Sequence, residues 1–471
     1  MQRLSPSARG TTRQRWAGKL AMSLSATALA ALVFAATAAA VTGFVYTGSG
    51  WAKRYAPQSF EEFHDVAMGD AAHAWVVGAD QPGPLSVGVV IATSDGGATW
   101  REEPLRTASS FDGVASIDPA HCWVVGEMLV DGAQSSVIYA TSDGGATWAP
   151  QLTGFPTALT ALAFSDAAHG LAVGSSGTIL STSNGGADWV THLLGSDEDL
   201  VDVAFPDTLH GWTVSATSSP GGEVSGAIFA TGDGGLTWHT EVSGVTAGFT
   251  GVSFPDATHG WAVTRSGRLY LTEDGGANWT VGQIPGNGVP IEDIAFPDAT
   301  HGWAVGGAPS QSPWLGTIVW ATSDGGDSWR LQTHTGTEEV DVAVAFADSL
   351  HGCAVGPMSD LMTTANGGEP LLFLRLRGLR HRAMRLGDRV AALGVVHPPL
   401  PTDGKVRLQV FRQIGGGGWA AVEAHVGTLS EDGAFHWRYR PTRRGNYRIK
   451  AHIHPTPDVA ASSNWHLFSV R

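Results

Sequence analysis

Hydrophobic and polar residues alternate in short runs along most of this chain, as in Val201-Asp202-Val203-Ala204-Phe205. A period of two places alternate side chains on one face and predicts half-buried β-strands. The runs end at clusters of glycine, aspartate and serine, the residues of tight turns. No segment after residue 50 keeps the 3.6-residue apolar period of an amphipathic helix over two turns, so the bulk of the chain reads as all-β. The exception is the uncharged run Leu20 to Tyr46, which follows Arg3, Arg9, Arg13, Arg15 and Lys19. A basic segment followed by an apolar one is an export signal. It is either cleaved, for example after Ala36-Thr37-Ala38, or kept as a membrane anchor, since roughly 20 apolar residues span a bilayer. In both cases the remainder is expected outside the cytoplasm, secreted or anchored.

The strands belong to a repeat. The box Thr-Ser-Asp-Gly-Gly-Ala-Thr-Trp occurs at 93–100 and 141–148, with variants at 182–189, 231–238, 272–279 and 322–329 and a copy without its Trp at 364–370. Its acidic or amide position is Asp95, Asp143, Asn184, Asp233, Asp274, Asp324 and Asn366, about 45 residues apart, the length of a four-stranded propeller blade. Upstream of each box stands a histidine: His73, His121, His169, His210, His259, His301 and His351, in the last five copies as Asp-x-x-His-Gly. Each repeat predicts strand a, a turn at the histidine, strand b, strand c running into the box, and strand d after it. The box side chain is expected to accept hydrogen bonds from its own turn, with paired glycines supplying positive φ, so these residues are structural. Seven histidines one blade apart cannot meet at one ion, and no metal or cofactor is expected. The tail-like Gly48-Ser49-Gly50-Trp51-Ala52-Lys53-Arg54 predicts that Trp51 completes blade seven and closes the ring.

These boxes resemble the bacterial-neuraminidase (Asp-box) repeats. Phe296-Pro297-Asp298-Ala299-Thr300-His301-Gly302-Trp303-Ala304-Val305-Gly306 with Thr322–Trp329 is most similar to the photosystem II stability/assembly factor family. The resemblance covers about residues 51–370 and implies a seven-bladed β-propeller that binds a protein partner without catalysis. It also implies a basic binding patch, whereas this propeller holds only Lys53, Arg54, Arg101, Arg106, Arg265, Arg268 and Arg330. Sialidases and some endoglucanases share such propellers, so a glycoside hydrolase or carbohydrate-binding protein is the alternative. A sialidase needs an Arg-Ile-Pro segment and a tyrosine nucleophile; the former is missing and the propeller tyrosines are Tyr55, Tyr139 and Tyr270. No catalytic residue is assigned.

Charge divides the chain at the end of the repeats. Residues 53–370 carry 37 acidic and 7 basic side chains, residues 371–471 carry 6 and 16. Such a split marks separate domains with separate partners, or domains that attract one another. The expected domains are 1–47 (signal or anchor), 48–370 (propeller) and 371–471. The last has strands at the spacing of a small sandwich. Its Gly387-Asp388-Arg389-Val390 and Gly445-Asn446-Tyr447-Arg448 resemble Ig-like modules of secreted bacterial proteins. Its Arg-rich stretch 375–389 is either solvated or a contact for anionic wall polymer, lipid headgroups or the acidic propeller. Cys122 and Cys353 fall in blades that are not neighbours and are expected as buried free thiols.

Candidate binding residues lie on the propeller face opposite the boxes. The interval from histidine to box is longest in blades one, two, four and six, which predicts b–c loops at about 79–88, 127–137, 216–226 and 307–317. Trp314 in the last is the aromatic candidate. The d–a connections on that face are acidic: Glu61, Glu62, Glu102, Glu103, Asp197, Glu198, Asp199, Glu292, Asp293, Glu338, Glu339 and Asp341. They are either solvated or the mouth for a cationic partner, for Ca²⁺ or for the basic C-terminal domain. The expected partner is a protein or an envelope polymer, not nucleic acid, and the chain is expected as a monomer.

Overall fold

Each repeat folds as an antiparallel meander in the computed structural model. It describes residues 45–46, 51–53 and 62–471, except for 81–85, 131–132, 220, 286–288, 309–315, 335–341, 357–359, 369–370, 378–382, 387, 398–404, 415–417, 429–433 and 455–465. The predicted leader therefore lies outside the described residues, save for Val45–Tyr46. Every described element is a strand.

Seven antiparallel sheets run from strand a inward to strand d outward. Their inner strands are Glu62–Met68, Ser110–Ser116, Leu159–Phe164, Leu200–Ala204, Phe249–Ser253, Ile291–Ala295 and Ala343–Phe346. Each contacts the next and the last contacts the first, so the sheets form a closed ring, the propeller that the repeat predicts. Strand b is buried at every position in blades three, four and five, because neighbouring sheets cover both its faces. That is why Trp-Ala-Val reads as a continuous apolar run rather than an alternation.

Aromatic rings join the blades. The strand-b tryptophans Trp123, Trp212, Trp261 and Trp303 stack at 3.6–3.7 Å on Phe164, Phe254, Phe296 and Phe346 of the following blade. The box tryptophans Trp189, Trp279 and Trp329 then meet those phenylalanines edge-on at 6.0 Å. The glycine that follows the turn histidine in blades three to seven makes room for a phenylalanine ring: a Cβ on Gly260 would lie 2.0 Å from the Phe254 ring.

Blade seven takes its fourth strand from the other end of the chain. Trp51–Lys53 pairs antiparallel with strand c, Trp51 opposite Thr364. Trp51 meets Phe346 edge-on at 5.7 Å, the place the box tryptophans hold in other blades. The ring is thus closed by hydrogen bonds between distant segments, and no blade edge is left at the junction.

Residues 371–471 form two further sheets. One orders Leu371–Arg377, Val390–His397 and Ala434–Tyr439. The other orders Ala383–Met384, His466–Val470, Gly445–His454, Lys405–Gln413 and Trp419–Thr428. Val390, Ala392, Phe435 and Trp437 of the first share one core with Val406, Leu408, Val410, Ile449 and Phe468 of the second. Two sheets over one core make a sandwich. Cys122 and Cys353 are both buried and no disulfide joins them, as their separate blades require.

Candidate functional site

The turns at one end of the blades use up their own polar groups. In the first box, Thr93 Oγ1 and the Thr99 N–H donate to Asp95 Oδ1 at 2.9 and 2.8 Å, and Thr99 Oγ1 donates to Oδ2 at 2.7 Å. The Gly97 N–H returns to Thr93 Oγ1 at 3.0 Å, which needs the positive φ of Gly96 and Gly97. The same pattern recurs at Asp143, Asp233, Asp274 and Asp324, and Asn184 accepts from the Asp188 N–H in the same way. Asn366 accepts from Thr364. These bonds hold the Asp95, Asp233 and Asp324 carboxyls below the usual range, outweighing the cost of partial burial.

The histidine turns are equally closed. Asp70 Oδ1 accepts the Ala72 and His73 N–H groups at 2.7 and 2.8 Å, and His73 Nδ1 lies 2.8 Å from it. The box is bonded onto this turn, with the Gly96 N–H donating to the Ala72 carbonyl at 2.9 Å. Both motifs share one face, as the alternation of strand directions demands, and their side chains are structural.

The opposite face carries the b–c and d–a connections, which bond to one another: the Gly177 N–H donates to the Glu198 carbonyl and the Ala216 N–H to that of Asp199. Two predicted long loops are in fact hairpins that extend the sheet. Cys122–Val130 pairs with Ala133–Thr141, and Thr217–Ser218 adds to Val224–Thr231. Their alternating Ser, Thr and Val residues continue the ladder.

Several predicted site residues are placed by these elements. Asp197 is exposed beside Glu198 and Asp199. Glu198 Oε2 accepts the Ser215 and Thr217 hydroxyls, both at 2.8 Å, and Asp199 Oδ1 accepts the Ser176 N–H at 3.2 Å. Glu292 pairs with Arg265 at 2.8 Å; burial raises its carboxyl against that partner. Glu62 begins the inner strand of blade one. Glu61, Trp314, Glu338, Glu339 and Asp341 lie outside the described residues.

Three acidic assignments are corrected. Glu292 and Asp293 are not on a connection: both lie inside strand a of blade six, where a register shift falls between Ile291 and Asp293. The extra residue turns the Asp293 carboxylate toward blade seven, where Oδ2 accepts the Val344 N–H at 2.8 Å. Glu103 is no mouth residue either. Its side chain has no exposed surface, lies under Gly145 of the next box and pairs with Arg101 at 2.7 Å.

Asp293 has two counterparts that the sequence did not single out. Asp65 and Asp202 follow the same shift in blades one and four and accept the Val114 and Val252 N–H groups of the next blade at 2.8 and 2.7 Å. Each also accepts the N–H of its own following residue. Burial deep in the ring pushes Asp65 and Asp202 up to about 7, against the pull of these N–H donors. Asp293 too is raised well above the usual carboxylate range, by burial and by the negative charge of the other two. Beside them His64 lies 3.3 Å from Asp112. Burial lowers the imidazole, but the Asp112 carboxylate and the Phe111 carbonyl raise it more. The one signal for the three aspartates is a small residue at the equivalent place in the next blade: Gly113, Gly251 and Ala343. Among the described residues no three metal-ligating side chains gather.

No family model matches the chain, and no curated protein sequence does. Solved structures do. A structure described as YCF48 bound to D1 peptide superposes with a TM-score of 0.51 at 19% identity, covering 69% of this chain and 99% of that one. YCF48 from Cyanidioschyzon merolae follows at 0.49 and 20%, covering 67% and 98%. A GH74 xyloglucanase from Xanthomonas campestris gives 0.48 at 11%, covering 86% and 79%. At these identities the likeness is one of fold, and the chain is a β-propeller of the architecture found in YCF48.

Proposed function

We propose that the chain is an exported, non-catalytic propeller scaffold that binds a protein segment on the face of the b–c hairpins and d–a connections. The observation that carries this reading is the asymmetry of the two faces. Box and histidine carboxylates are consumed within their own turns, whereas the opposite face varies in length between blades and presents Glu62, Asp197, Glu198 and Glu292. A propeller of the same fold is described as bound to a peptide, which supports protein binding as the use of such a face. A carboxylate-rich surface favours a cationic segment. Against hydrolysis, Glu198 is occupied by two hydroxyls and Glu292 by Arg265, so neither stands free as an acid–base pair would.

The C-terminal sandwich is, in the same reading, an Ig-like module. Tyr447 Oη donates to the Arg443 carbonyl at 2.7 Å, a tyrosine corner, and Ala383–Met384 runs parallel to the last strand.

Charge reversal at exposed Asp197 together with Glu62 (D197K/E62K) is expected to weaken capture of the partner from envelope extract about tenfold or more. Neutralising a box carboxylate (D95N) should leave capture unchanged. Equal loss from both variants, or polysaccharide hydrolysis abolished by E198Q or E292Q, would overturn the reading.

A further inference from the structure

The C-terminal sandwich turns one face of its five-stranded sheet away from the core, and that face combines cations with exposed apolar groups. Register places Arg407 opposite Val426, Gln409 between Lys450 and Ala424, and Arg448 between Leu467 and Phe411. Val406, Leu408 and Val410, which alternate with these positions, point into the core. Arg407 is exposed, and so are Val426 at 48% and Leu467 at 54%. The Arg448 guanidinium lies over the rings of Trp419 and Phe411, 4.6 and 5.3 Å from their centroids. Stacking on two rings fixes the Arg448 charge at this sheet face. The sheet's one acid, Glu423, is paired with Val410 and so belongs to the core row.

We propose that this face docks on an anionic lipid bilayer. Charge complementarity selects an anionic occupant: residues 371–471 hold 16 basic side chains against 6 acidic ones, and among the described strands of this sheet the single acid, Glu423, lies in the core row. The exposed aliphatics select a bilayer over a soluble polyanion, since a polyanion has nothing to cover Leu467 and Val426. At a membrane the cations meet headgroups while Leu467, Val426 and the Trp419 ring enter the interfacial zone. The acidic propeller is repelled by the same surface, so the charge split orients the molecule with the sandwich toward the lipid.

The test uses residues 43–471, which form one compact unit, so that binding owes nothing to the first 42 residues. Co-sedimentation with vesicles of 30% phosphatidylglycerol in phosphatidylcholine is compared with pure phosphatidylcholine and with soluble polyphosphate. Binding to the anionic vesicles is expected, falling as salt is raised. R407Q/R448Q/K450Q should weaken it by about 100-fold, from roughly fivefold per charge near the surface. Because Arg448 also packs on two rings, R407Q/K450Q serves as the variant that leaves this stack in place and should lose about 25-fold by the same arithmetic. L467S keeps every charge and should still bind several-fold more weakly. Equal affinity for neutral and anionic vesicles, indifference to both charge variants, or polyphosphate binding that L467S does not affect would each overturn the proposal.

Discussion

Replacing Trp51 with alanine is expected to destabilise the propeller by about 3–5 kcal/mol, the cost of deleting a large buried ring. Trp51 has no exposed surface, whereas the box tryptophans Trp189, Trp279 and Trp329 are only partly buried. Its Nε1 donates to Gln332 Oε1 of blade six at 2.9 Å, so truncation also leaves a covered amide oxygen short of a partner. The ring packs between Trp303, Val319 and Met362 and so joins blades six and seven. Removing residues 51–53 altogether should do more. Strand c of blade seven, Asp360–Ala365, would become an open edge, and exposed edges pair with other chains. Chemical denaturation should show a lower midpoint for W51A than for W279A, and the truncated chain should oligomerise on size exclusion. A W51A midpoint equal to wild type would mean that the ring does not depend on this side chain.

This closure could be read from the sequence because it is local chemistry repeated seven times. Gly48-Ser49-Gly50-Trp51 copies a box tail, and the seventh box, at Asn366, lacks its tryptophan. The boxes and histidine turns were legible for the same reason, since each motif satisfies itself within a few residues. The axial aspartates were not. Asp202 sits in Val201-Asp202-Val203, where a period of two assigns it to an outward face, and Glu292-Asp293 reads as a solvated acidic pair. What decides both is a register shift of one residue, which brings the side chain against the backbone of the next blade. Neither the shift nor the neighbour is encoded near the residue itself. The sheet face of the C-terminal domain was half legible. Basic composition was plain, but only the pairing of Arg407, Lys450 and Arg448 in adjacent strands shows that they share a surface with Leu467.

Those axial aspartates set the second large expectation, that the propeller is more stable at pH 5.5 than at pH 8. In the unfolded chain all three carboxyls are ionised above about pH 4. In the folded ring Asp65 and Asp202 hold their protons up to about 7, and Asp293 is likewise held well above the usual carboxylate range. Between these limits the native state binds more protons than the unfolded one, so stability falls as pH rises. For a carboxyl titrating near 7 the loss from pH 5.5 to 8 is roughly 2 kcal/mol. The turn carboxylates act in the opposite sense and at lower pH. Asp70, Asp118, Asp166, Asp298 and their equivalents sit below the usual range because they accept turn hydrogen bonds, and the stability they confer disappears only as pH falls below about 4. The optimum should therefore lie on the acid side of neutrality. D202N leaves all seven histidine turns in place, so a slope that it flattens belongs to the aspartate. D202N has no charge to lose and should flatten the fall between pH 5.5 and 8. It should be less stable than wild type at pH 5.5, because an amide oxygen keeps one of the two N–H bonds to Val203 and Val252 but its NH₂ opposes the other. At pH 8 it should equal or exceed wild type, since the buried negative charge has gone. Denaturation midpoints that run parallel for the two proteins across this range would show that Asp202 is ionised in the folded ring throughout.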